Sequence, residues 1–106
     1  MYEENAVLHA LCTRRSVRSY DSTKPVEQEK IQAVLTAGQS APTGMNCMPT
    51  KFVVIRNPEM LHQLSKQNAE IMGAADRDPF YGAPVAILVL VDSTVHTWVE
   101  DGSLAM

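Results

Sequence analysis

Aromatic residues are scarce in this chain, cysteine occurs only twice, and no apolar run outlasts residues 85–91. That run has the length of a buried strand and falls far short of a membrane span. Glu3, Glu4 and Asn5 precede any apolar stretch, so the N-terminus does not read as a secretory signal. Cys12 and Cys47 stand in unrelated contexts without metal-ligand spacing, which reads as reduced thiols in a cytoplasmic protein. A net charge of -3 with few aromatics argues against nucleic acid and anionic membranes as partners. His9, His62 and His96 are scattered, and no Ser–His–Asp set or pair of acid/base carboxylates can be assembled. Internal repeats and low-complexity segments are absent as well.

What remains is a chain of 106 residues, 45% hydrophobic and 20% charged, ordinary for one globular domain. Val7, Leu8, Leu11 and Cys12 recur at helical spacing and predict an amphipathic helix over residues 5–13. Pro25, followed by Glu27, Glu29 and Lys30, predicts a second helix start with Ile31, Val34 and Leu35 on one face. Gly38 and Pro42 bound that helix on its far side. Residues 52–55 form a strand closed by Asn57-Pro58. A third helix then carries Leu61, Leu64, Asn68, Ile71 and Met72 on one stripe. After the breaks at Asp78-Pro79 and Gly82-Ala83-Pro84 comes the strand 85–91. A last helix follows Asp92-Ser93-Thr94 through Trp98, Val99 and Leu104, with Glu100 and Asp101 expected on its solvated side. This order gives an α+β fold whose two strands are expected to be buried on both faces. The pattern stops in mid-helix at Met106, so residues 1–106 read as a single, apparently truncated domain.

Two segments carry chemistry. Arg14-Arg15-Ser16-Val17-Arg18 places three guanidiniums and a hydroxyl within five residues, an arrangement suited to an anion. The plainer reading is a solvated basic helix end that favours the helix dipole. Ala41-Pro42-Thr43-Gly44-Met45-Asn46 supplies small, turn-forming residues against which a flat ligand can lie; by itself it is an ordinary loop after a helix. Met45, Cys47 and Met48 are expected to be buried filler rather than a soft-metal cluster.

Taken in order, Arg14 to Tyr20, Pro25-Val26 before a helix, Ala41 to Asn46, Phe52-Val53-Val54-Ile55 and Tyr81-Gly82-Ala83-Pro84-Val85 resemble the N-terminal portion of the nitroreductase family of flavoenzymes. The resemblance implies an α/β sandwich, here partial, with helices on a small sheet and completion by homodimerisation. It implies FMN as cofactor and NAD(P)H as co-substrate, with a nitro, quinone or similar small molecule as electron acceptor. Arg14 and Ser16 would lie near phosphate and ribityl, Arg18 near the pyrimidine edge of the ring, and Arg15 counts with them among the cofactor-binding residues. Pro42, Thr43, Gly44 and Asn46 would pack against the isoalloxazine from the second subunit. No side chain of this stretch is implied as nucleophile or general acid, because the flavin carries the reaction. Where the family commonly continues with Gln, Pro and Trp, this chain has Cys47-Met48-Pro49-Thr50, which removes an amide and an aromatic ring from the site's edge. Two rival readings are a catalytically silent fragment and an FMN- or partner-binding module without turnover.

Overall fold

In a computed structural model, described for residues 4–106, four α-helices accompany a two-stranded antiparallel sheet. Helix α1 (Ala6–Thr13) starts where Asn5 Oδ1 accepts from the amides of Val7 (3.0 Å) and Leu8 (3.1 Å), a side-chain cap on two otherwise unpaired donors. Helix α2 (Gln28–Gln39) begins three residues after Pro25, with Glu27 as the flanking residue. Proline here sets the approach to the helix and does not occupy its first turn. Gly38 also lies inside α2, not beyond it, and the helix closes on Ser40. The glycine is needed for packing: a Cβ there would stand 3.0 Å from the Phe52 ring and 3.2 Å from the Ala105 carbonyl.

Strands β1 (Thr50–Ile55) and β2 (Ala86–Val91) pair with Phe52 opposite Val89 and Thr50 opposite Val91. The connection between them is helix α3 (Pro58–Ile71), capped by Asn57 Oδ1 with Pro58 in the first turn. Helix α4 (Trp98–Ala105) lies against the sheet so closely that a Cβ on Gly102 would reach within 2.6 Å of Val91 Cγ2. Thus α2 and α4 cover the face that carries Phe52 and Val91.

The expectation that both strand faces are buried is not met. Lys51, Val53 and Leu90 point to the other face and are exposed, Leu90 by 50%, so that face is covered only toward its Ile55 end, where Ile55 is buried. An uninterrupted Val/Ile/Leu run has the same composition whether one face is covered or two, so periodicity alone does not separate these cases.

The stripe on α3 is also corrected. Leu61, Ser65 and Ala69 are buried at four-residue steps, with Leu64 partly covered beside them, while Asn68, Ile71 and Met72 are exposed. Small residues win the inner face because Ser65 has a partner there: its hydroxyl donates to Asp78 Oδ1 at 2.6 Å. Ile71 and Met72 sit where the helix ends, just before Gly73 turns at φ +70. No helix among the described residues is long and apolar enough to cross a membrane.

Candidate functional site

The arginine segment begins as α1 ends. Arg14 is the flanking residue, its backbone N–H still donating to Ala10 O, and residues 14–20 then run without regular structure along the surface. Arg14 Nη2 donates to Ser16 Oγ at 3.4 Å. Arg15 folds back instead, giving Nη1–H bonds to the carbonyls of Thr13 (3.2 Å) and Arg14 (2.8 Å). It therefore closes the carbonyl end of α1, where a cation is favoured. Arg18 makes no hydrogen bond or ion pair among the described residues. No carboxylate pairs with Arg14, Arg15 or Arg18, so the cluster's charge is not neutralised within the described chain. That donor set suits a phosphate: planar forks, a neighbouring hydroxyl and full exposure.

The second segment is a tight turn at the foot of α4. Gly44–Asn46 form a single 3-10 turn after Thr43. Thr43 O accepts from Asn46 N at 3.1 Å, and Thr43 Oγ1 accepts from Met48 N at 3.1 Å. Met45, Asn46 and Met48 all take left-handed backbone conformations, with φ of 53, 55 and 49. Asn tolerates this region, but each methionine costs about 1–2 kcal/mol there. The methionines are not buried filler: Met45 is 98% and Met48 60% exposed, and Cys47 is exposed too. Pro42 and Asn46 are likewise on the surface, with Thr43 and Gly44 half-buried behind them.

A strained turn needs an anchor, and the anchor comes from a distant part of the chain. The Gly44 N–H donates to Asp101 Oδ1 at 3.0 Å, and Thr97 Oγ1 donates to Asp101 Oδ2 at 2.8 Å. Asp101 is 2% exposed. The sequence reading put it on a solvated face, and the structure reverses that: α4 turns Asp101, Gly102 and Ala105 inward and leaves Trp98, Val99 and Leu104 half-exposed. Gly44 must be glycine because a Cβ would land on the Thr97 side chain. A signal was available in the sequence. Gly102 beside Asp101 marks a helix face too close to its neighbour for larger residues, and Thr97 stands four residues before Asp101, on the same face.

Neither segment lines the clefts described for this chain. Two clefts, of about 860 and 340 Å³, open elsewhere: the larger between Val26, Leu61, His62, Phe80 and Val85, the smaller beside Met72 and Tyr81. The larger is walled by the turn before β2, which Asp78 organises. Besides Ser65, its carboxylate accepts from Phe80 N (2.9 Å) and Gly82 N (2.8 Å), holding Tyr81 at φ 54 and Gly82 at φ 73. The Ser65 hydroxyl, with smaller help from those amides and from His62, holds the Asp78 carboxyl below its ordinary value against the opposing effect of burial.

Comparison with known proteins bears on the family and the fold. A family model described as Nitroreductase family matches residues 11–102. A Methanothermobacter thermautotrophicus protein named for NADH dehydrogenase/NAD(P)H nitroreductase is 38% identical over 103 residues, covering 93% of this chain and 50% of its own length. The crystal structure of a nitroreductase with bound FMN from Bacteroides fragilis superposes with a TM-score of 0.84 at 26% identity, over 95% of this chain and 60% of that one. A Bacteroides thetaiotaomicron structure, also named for NADH dehydrogenase/NAD(P)H nitroreductase, gives 0.78 at 36% identity, over 95% and 56%. The chain thus spans little more than half the length of these relatives. Its match nevertheless runs from the helix that delivers the arginines to the helix that anchors the turn, and on that evidence the chain belongs to the nitroreductase family.

Proposed function

We propose that this chain is the FMN-binding N-terminal part of an NAD(P)H-dependent oxidoreductase of the nitroreductase type, working as a homodimer in the cytoplasm. The observation that carries the reading is the surface cluster of Arg14, Ser16 and Arg18, whose two guanidiniums have no carboxylate partner among the described residues. Arg14 and Ser16, already within hydrogen-bond distance of one another, would grip a phosphate, with Arg15 adding charge from the helix end. Arg18, with no hydrogen-bond or ion-pair partner among the described residues, would place a positive charge beside an electron-rich ring edge. Pro42, Thr43, Gly44 and Asn46 would supply the backbone wall for a flat ring. When bound, FMN supplies hydride acceptance from NAD(P)H and electron delivery to a nitro or quinone-like acceptor. The protein's part is to bind, orient and leave one ring face open.

Two features support the homodimer. Neither described cleft is lined by the arginine segment or the 41–46 turn, as expected if a second copy brings an arginine segment against a turn. Helix α1 also buries none of its residues, leaving Val7 and Leu11 68% and 65% exposed. Free Cys12 and Cys47 are compatible with a reducing compartment.

Equilibrium titration of FMN fluorescence, read beside the sedimentation coefficient, tests the proposal. Saturable quenching by a species of twice the chain mass is expected. Absence of FMN uptake at any protein concentration would contradict it.

A further inference from the structure

We propose that Asp101 is the positioning residue of the flavin-facing turn, a role that rests on the functional reading above. No other side chain ties the 43–48 turn to an element distant in sequence through a buried acceptor. Its Oδ1 takes the Gly44 N–H and its Oδ2 the Thr97 hydroxyl, and the residue is 2% exposed. The three left-handed residues that follow Gly44 are held otherwise by bonds within the turn, from Thr43 and Gly44 themselves. Local bonds give a turn its shape but not its place on the molecule. The Asp101 contact, linking residues 57 positions apart, fixes where that shape stands relative to α4.

The placement has a consequence for ligand geometry. Asp101 occupies the Gly44 amide from the inside, and Thr97 fills the space behind its Cα. The Gly44 N–H is therefore committed to the protein, and Met45 and Asn46 stand outward beside the Pro42–Gly44 backbone. Met45, 98% exposed on a strained backbone, stays out in solvent only while the turn is held from behind. Releasing the anchor lets the left-handed residues relax and moves the wall on which a ring would rest. A wall misplaced by an ångström loses affinity and orientation without any contact residue having changed.

The test compares Asp101→Leu, Asp101→Asn and the unaltered chain in two experiments. Leucine preserves volume and removes both acceptors, whereas asparagine keeps an acceptor for Gly44 and an amide to donate to the Thr97 oxygen. In the first experiment, without FMN, amide exchange at Gly44 and Met48 should quicken about tenfold or more in Asp101→Leu while β1 amides keep their protection. In the second, the FMN dissociation constant should rise by about tenfold or more in Asp101→Leu. The visible circular dichroism of the bound flavin should change, and Asp101→Asn should restore both. If Asp101→Leu lowers the melting temperature yet binds FMN with unchanged affinity and dichroism, Asp101 is merely structural and the proposal falls. If the unaltered chain takes up no FMN, the functional reading fails and the proposal falls with it, an outcome distinct from equal binding by all three proteins. If Asp101→Leu is too unstable to purify, Thr97→Val, which removes one of the two bonds, should give the same changes at smaller size. An unchanged Thr97→Val protein would then overturn the proposal.

Discussion

Arg18 is the residue at which the account is most exposed. It has no hydrogen bond or ion pair among the described residues, so removing its guanidinium breaks none of them. A hydrogen bond to a charged group is worth about 1.5–3 kcal/mol, so Arg18→Ala should weaken FMN binding by about tenfold or more and leave thermal stability unchanged. An unaltered dissociation constant would mean that the side chain points away from the ligand. Arg15→Ala should behave in the opposite way. Its guanidinium is spent on the carbonyls of Thr13 and Arg14, so the cost falls on the end of α1 and less on affinity. Gly44→Ala supplies a packing test. Its new methyl collides with Thr97, which should cost about 1–3 kcal/mol in urea denaturation. Part of that cost should return in the double variant Gly44→Ala/Thr97→Ala, since a shared contact makes the two substitutions non-additive. Strict additivity would show that the two residues do not touch.

Among the elements, the turn leading into β2 depends on a single carboxylate. Asp78 binds Ser65, Phe80 and Gly82 and has a lowered pKa, chiefly through the Ser65 hydroxyl. A lowered folded-state value means that the stabilisation is complete above the ordinary carboxylate pKa and is lost as pH falls through the lowered one. The turn should therefore hold at neutral pH and loosen below about pH 4, seen as lost protection of the Phe80 and Gly82 amides relative to their intrinsic exchange rates. Asp21 and Asp92 have the same sign of shift, each from its neighbouring threonine, so Asp78→Asn should remove only part of the acid destabilisation. Asp78→Asn exchange that accelerates in acid as steeply as the parent's would contradict this assignment. The elements themselves were legible in the sequence. Asn57-Pro58 announces a cap and a first turn, and 52–55 and 85–91 are strands wherever they pack. Their inner faces were less legible. Ser65 and Asp101 face inward because a partner lies 13 and 57 residues away, and no local period encodes such a partner. Likewise Arg14 to Arg18 and Pro42 to Asn46 stood out by type and spacing, whereas the residue that anchors the turn looked like one more helix-surface acid.

As a whole molecule the chain is open for its size. Its radius of gyration is 16.0 Å, against about 13 Å for a compact domain of this length. The difference matches α1, which buries nothing, and the sheet face on which Val53 and Leu90 remain exposed. The account expects association in solution, with α1 amides protected from exchange in the associated form. A compact monomer that unfolds cooperatively would contradict it. The central claim, that these motifs serve an FMN-dependent NAD(P)H oxidoreductase, is tested most directly by one anaerobic absorption spectrum. The purified chain is loaded with FMN, freed of unbound flavin and recorded before and after addition of NADH and then NADPH. The account predicts a protein-bound flavin band that bleaches with at least one nicotinamide and returns when a nitroaromatic or quinone is added. A band that neither nucleotide bleaches, or a colourless protein, would contradict it.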